Sequence, residues 1–361
     1  MIGWRQFLTE MGSDYPSESQ LHGMRLRDQN ALVESAKDLL LLKLAMRAFL
    51  SLQQVKLLRL QDEADEKLLD RMQGASLESA TSLSWEPACS RAIANLGAAL
   101  LESKCESVRF LGPQISPEAT LRLQRVPLAT LSAVAARLTS VDIDWHCTTD
   151  VTAYFTPLSS TFRHFFASAK SLIAIHLGFP AKLPLDSQLD HVFSGVEWNG
   201  LRTFSIQGWR LRSDEIVDFS LRHRRQLREL RLRNVYLRGG SRWRDVLLAL
   251  RNEMEQLECL DLRGIDYASH FDSMAAANAV EGHENGNQTP DHYPVLGYDY
   301  LGRPWVLNGH ALPLPEDMAR ALRALAVDDM GDNGISVGRE QRSAWEAWVR
   351  ASQRTVTRRR F

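Results

Sequence analysis

The chain has 361 residues, 44% of them hydrophobic, enough to bury a large core. Its 43 Lys and Arg against 44 Asp and Glu give a formal net charge of -1, so no global charge favours nucleic acid or a membrane surface. Cys89, Cys105, Cys147 and Cys259 lie far apart without C-x-x-C spacing, which excludes a disulfide framework and a zinc ribbon and reads as reduced thiols in a reducing compartment.

In chain order, residues 1 to about 30 read as loose, with a turn cluster at Gly12-Ser13-Asp14-Tyr15-Pro16. MIGWRQFLTE lacks a basic region followed by an apolar run, so no secretory signal is expected. The spacing of Leu32, Ala36, Leu39, Leu40 and Leu44 predicts an amphipathic helix over 30–51, packed on a first strand. Its most apolar part, 39–52, is interrupted by Lys43 and Arg47 and is too short to span a membrane. Helices are also expected over 62–72 and 88–102, separated by a serine-rich break at 74–84.

From Leu52 onward a short pattern recurs: apolar, two of any residue, apolar, one of any residue, apolar. The copies read Leu52-x-x-Val55-x-Leu57, Cys105-x-x-Val108-x-Phe110, Leu138-x-x-Val141-x-Ile143, Leu172-x-x-Ile175-x-Leu177, Leu201-x-x-Phe204-x-Ile206, Leu227-x-x-Leu230-x-Leu232 and Leu257-x-x-Leu260-x-Leu262. The last five start 34, 29, 26 and 30 residues apart, room for one strand and one helix per unit, with neighbours burying what one unit cannot. The expected fold class is therefore α/β: a leucine-rich-repeat-like solenoid with a curved parallel sheet and outer helices, plus an irregular C-terminal region. Helices are predicted over 117–137, 158–168, 185–193, 213–223 and 242–254, with Ser213 and Ser241 as N-caps of the last two.

Past Ile265 the period stops. Residues 281–290 read as a mobile loop, and Tyr298-Asp-Tyr-Leu-Gly-Arg303 as a β-hairpin. A helix over 316–327 and an apolar stripe of Trp345, Trp348 and Val349 on a last helix follow, and the chain ends in three arginines and Phe361. Three regions result: an N-terminal helical cap (1–50), the solenoid (51–265), and a loop-rich and helical C-terminal region (266–361).

No phosphate loop, dinucleotide turn, nucleophile elbow or H-E-x-x-H helix is present, so the chain is read as a non-enzyme with no cofactor. His146, Cys147 and Asp150, and His283 with Glu281, Glu284 and His292, lack the spacing of a closed metal site and read as polar loops. Residues 222–251 hold ten arginines against Glu229 and Asp245. This segment offers an alternative reading as a binder of nucleic acid or a phosphorylated partner, beside a solvated helix end. A second alternative is an enzyme with its site in the 266–330 loops.

With the strands placed, LRTFSIQGWRLRSDEIVDFSLRHRRQLRELRLRNVYLRGG and on through LECLDLRGI resembles the leucine-rich repeat region of fungal F-box-type proteins. Gly112, Gly208, Asn234 and Gly264 each sit two residues after the last strand apolar, where a turn off the strand favours residues tolerant of unusual backbone angles. The resemblance covers roughly 50–265. It implies the substrate-receptor half of a cullin-type ubiquitin ligase, although residues 1–50 carry no Leu-Pro start of an F-box. The residues alternating with the buried apolar ones should line the sheet's inner face and carry recognition of a protein partner. These are Arg109, Asp142, Asp144, His176, Ser205, Gln207, Glu229, Arg231, Arg233, Asp261 and Arg263. The expected setting is cytoplasmic or nuclear, without membrane or nucleic-acid contact.

Overall fold

The structure is a computed structural model that describes residues 18–49, 52, 54–56, 86–103, 108–115, 124, 126–145, 147, 149–193, 195–281 and 316–357. The chain divides into two units, Met1–Ser51 with Arg91–Cys105, and Leu52–Ser90 with Glu106–Phe361.

The first unit is helical: α1 (Glu18–Ser35), α2 (Lys37–Ala48) and most of α3 (Glu86–Glu102). One helix was expected over 30–51. Instead the helical stretch starts earlier and is broken at Ala36, whose φ of 48° is left-handed. Arg91 donates to both carboxylate oxygens of Asp38 at 2.8 and 2.7 Å, Asn95 adds a third bond, and Glu102 pairs with Lys43 and Arg47. Helix α3 thus belongs with the N-terminal helices and not with the repeats, where the sequence had placed it. The expected stripe is also corrected, since Leu32, Leu40 and Leu44 are exposed.

Among the described residues, the second unit is built on one sheet of eight strands, all pairs parallel: β1 (Gln54–Lys56), β2 (Val108–Ile115), β3 (Leu138–Trp145), β4 (Ala174–Gly178), β5 (Thr203–Leu211), β6 (Glu229–Leu237), β7 (Cys259–Asp261) and β8 (Asp266–Tyr267). Strands β1 to β7 neighbour one another in sequence order, and β8 pairs with the far end of β6. Between them run α4 (Leu128–Ala135), α5 (Thr152–Ser168), α6 (Leu189–Phe193), α7 (Ser213–Arg222) and α8 (Trp243–Asn252). Parallel neighbours need such crossovers, and the intervening segments are long enough to supply them.

The repeat pattern maps directly onto burial. The leading leucines Leu138, Leu172, Leu201, Leu227 and Leu257 are all buried, as are Val141, Ile175, Leu177, Phe204, Ile206, Leu230, Leu232, Leu260 and Leu262. Ile143 is half-buried, and Leu57 and Cys105 lie outside the described residues. The helices cover this apolar side largely with aromatic rings: Phe219 stacks on Phe204 at 3.9 Å, Phe193 meets Phe204 at 5.4 Å, and Phe155 meets Trp145 edge-on at 5.2 Å.

Gly208, Asn234 and Gly264 have the left-handed φ of 67°, 49° and 64° that such tolerant residues suit, but Gly208 and Asn234 lie within β5 and β6, which run on past them, and not at turns off the strands. At Gly208 a side chain is excluded twice over, because an added Cβ would lie 2.3 Å from the Phe179 carbonyl oxygen. The N-caps differ from expectation. Ser213 is the first residue of α7, where Glu215 accepts the Arg212 amide at 2.7 Å, and the buried Ser241 hydroxyl accepts the Ser213 amide instead of capping its own helix.

The segment after Ile265 was expected to be irregular, but it continues as β8 and then α9 (Ala268–Glu281). Helices α10 (Glu316–Ala324) and α11 (Arg339–Thr357) follow, with a 3-10 turn at Val327–Met330 between them. Trp345, Trp348 and Val349 are buried, as their stripe implied, and Glu346 accepts the Leu262 amide at 2.7 Å just past the edge strand β7. Arg251 lies over the Trp348 ring at 4.1 Å and donates to the Trp348 carbonyl, so the far edge of the sheet is covered. The expected helix over 62–72, the break at 74–84, the hairpin at 298–303 and the terminal arginines lie outside the described residues, as does the expected loop at 281–290 except for Glu281, which ends α9. Among the described residues no helix is long and apolar enough to cross a membrane.

Candidate functional site

The sheet register sorts the predicted recognition residues into rows. One row runs Asp142, His176, Ser205, Arg231, Asp261 across β3 to β7. The next runs Asp144, Gly178, Gln207, Arg233, and the one before it Arg109, Ser140, Ala174, Thr203, Glu229, Cys259. Alternation along each strand puts these positions on the face opposite the leucines. Arg109 is placed by its backbone alone. Arg263 lies just beyond β7, beside Asp261.

At the β3–β4 end the rows make a tight cluster. His176 is only 6% exposed, with Nδ1 2.8 Å from Ser205 Oγ and Nε2 3.2 Å from Asp144 Oδ1. Burial opposes the charged imidazolium, but the hydrogen bond and charge of Asp144, with Asp142 beside it, outweigh that cost and raise the His176 pKa above its ordinary value. Ser, His and Asp are the residue types of an acyl-transfer triad. Ser205 is only 1% exposed, however, so its hydroxyl is not presented to a substrate.

At the β6–β7 end the arginines are tied down. Arg231 donates to Glu229 at 2.8 Å, and Thr203 adds a bond to the same carboxylate. Arg233 donates twice to Asp261, at 3.0 and 2.9 Å, and Arg263 reaches its other oxygen at 2.8 Å. The side chains of Arg231 and Arg233 are only 14% and 12% exposed. The charge at these positions is held within the face by neighbouring side chains, and Ser205 and His176 are buried in it.

The arginines of 222–251 likewise meet carboxylates. Arg222 pairs with Asp190, Arg228 with Glu258, Arg238 with Asp186 and Arg244 with Asp328, while Arg224 and Arg225 share Glu255. Counting acids only inside the segment missed carboxylates that the fold brings from other units. What remains is a cleft of about 440 Å³ at the strand N-termini, where Arg202, Arg225 and Arg228 gather with Asn199, Gln226 and the exposed Ile173.

Sequence reasoning missed Gly178. A Cβ there would fall 1.9 Å from Asp144 Oδ1, so the glycine clears the space in which Asp144 folds back toward His176. A glycine inside an apolar strand segment was the available signal, because it often marks a close approach. His146 and the 281–292 cluster fall wholly or in part outside the described residues, and Cys147 is half-buried without a disulfide. The chain matches no protein-family model, no curated protein and no solved structure.

Proposed function

We propose that this chain is a leucine-rich-repeat-like solenoid that serves as a protein-interaction scaffold, with the polar face of the sheet receiving a protein partner. The supporting observation is the in-register ordering of charge across that face. Acids lead at β3, His176 and Ser205 follow, and Arg231 and Arg233 are clamped by Glu229 and Asp261. Charges already fixed by their neighbours lose little freedom on binding, and an ordered pattern favours a partner with the complementary order. The repeat resemblance supplies a setting for this role, the substrate-receptor subunit of a cullin-type ubiquitin ligase.

The test exchanges the partners of one ion pair. Glu229→Arg with Arg231→Glu keeps a salt bridge between positions on one strand but inverts the pattern that a partner would read. The wild-type and exchanged full-length chains are cross-linked in cell extract and their partners compared by mass spectrometry. The exchanged chain is expected to melt close to wild type and to lose the partners cross-linked to β5–β7. A cullin adaptor subunit recovered equally with both chains supports the receptor role, because that subunit would dock elsewhere. Identical partners at identical yield on the sheet face overturn the proposal.

A further inference from the structure

We propose that Asp142, Asp144 and His176 form a binding site for one divalent transition-metal ion. The two carboxylates and the imidazole each offer a ligand atom, and these atoms all lie within 4.8 Å of one another. Donors about 2.0–2.2 Å from a common tetrahedral zinc ion stand roughly 3.3–3.6 Å apart, a separation that side-chain rotations can reach from the present one.

Three features of the fold support a built site. The residues are neighbours by register, Asp142 opposite His176 and Asp144 one row on, opposite Gly178. This places them on two adjacent strands and not on loops, which suits a site that must hold its geometry. Second, Ser205 Oγ stands 2.8 Å from Nδ1, and both residues are buried. With Nδ1 beside that hydroxyl, Nε2 is the nitrogen that faces Asp144, across 3.2 Å, and a metal ion bound there would displace the proton the two share. A metal-bound histidine is typically held in this way, its other nitrogen fixed by an oxygen. Third, Gly178 removes the one side chain that would fill the space between Asp144 and His176.

The donor set points to the class of ion. Carboxylates alone would suit magnesium or calcium, and thiolates would select softer ions. Two carboxylates with one imidazole fit the range from manganese to zinc. A dication balances the two carboxylates with a neutral imidazole. Arg233, whose charge acts on His176, is directed to Asp261 by two hydrogen bonds. Three protein ligands leave a position for water. This inference is independent of the partner proposal, since metal binding is read without a partner.

The full-length chain, cleared of metal with a chelator, is titrated with Zn²⁺ and with Mn²⁺ by calorimetry, and its melting temperature is followed with and without Zn²⁺. We expect one ion per chain, an upward shift in melting temperature, and no displacement by a large excess of Mg²⁺. Asp144→Asn and His176→Gln should each weaken Zn²⁺ binding by more than about tenfold, and Ser205→Ala by roughly 10–100-fold, the effect usual for an outer-shell partner. Circular dichroism checks that each variant is folded. Should one not fold, the cobalt(II) spectrum of the wild-type chain decides: nitrogen and oxygen ligation at one equivalent supports the site. No binding by wild type, or undiminished binding by a folded Asp142→Asn, Asp144→Asn double variant, overturns it.

Discussion

Gly178 on β4 lies directly in register with Asp144 on β3, and the space a Gly178 side chain would occupy is taken by the Asp144 carboxylate, 1.9 Å from the Cβ position. The pair is therefore coupled sterically as well as by strand pairing. Gly178→Ala should displace Asp144 from His176 and cost about 1–2 kcal/mol, less than a backbone clash would, because a short side chain can swing aside. In an Asp144→Ala background the same change should be nearly neutral. A double-mutant cycle by urea denaturation measures this difference, and additive costs would mean that the two residues do not share the space.

Leu230 is 1% exposed on the leucine side of β6, and Leu230→Ala should cost about 2–5 kcal/mol, with Leu230→Asp costing more. From sequence, Arg231→Ala would be expected to be silent. With its guanidinium donating to Glu229 and its side chain largely buried, it should instead cost on the order of 1 kcal/mol. Thermal unfolding of the three variants gives the ranking, and an Arg231→Ala chain as unstable as Leu230→Ala would contradict the register.

Gly208→Ala should destabilise by about 3 kcal/mol or more. Left-handed backbone at φ 67° costs an alanine roughly 1–2 kcal/mol, and the Phe179 carbonyl at 2.3 Å cannot move without disturbing the bond from Phe179 N–H to Gln207 O. Gly239→Ala is the control, since nothing lies within 4 Å of its added Cβ. Equal denaturation midpoints for the two variants would remove the steric argument.

Asp261 gives the face an acid-side signature. Burial pushes its carboxyl up, but hydrogen bonding from Arg263 and the charges of Arg233 and Arg263 outweigh this and hold it below the ordinary carboxylate value. The unfolded chain then takes up the proton first, so the stabilisation is complete above the unfolded carboxylate pKa of about 4 and is lost as pH falls through the folded value. Asp261→Asn should cost on the order of 2 kcal/mol at neutral pH and flatten the dependence of stability on pH below about 4. Denaturation of both chains between neutral pH and pH 3 checks the slope, and parallel curves would show that the carboxylate contributes nothing there.

The leucine pattern determined which residues form strands, their parallel order and which side of each strand is buried. A residue two positions along a strand returns to the same face, so local spacing already encodes burial, as the buried Leu138, Leu172, Leu201, Leu227 and Leu257 illustrate. The left-handed positions at Gly208, Asn234 and Gly264 were legible for a similar reason, because few residues tolerate that backbone. What tertiary structure alone decided was the pairing of charge. Asp261 lies 28 residues from Arg233, Asp328 lies 84 from Arg244, and Asp144 lies 32 from His176, so no local count of acids and bases could foresee them. The covering of β7 by α11 was hidden likewise, since Glu346 reaches the Leu262 amide across 84 residues. Periodicity is a property of neighbours along the chain. Charge pairs across strands are assembled by strand register, which exists only once the sheet has formed.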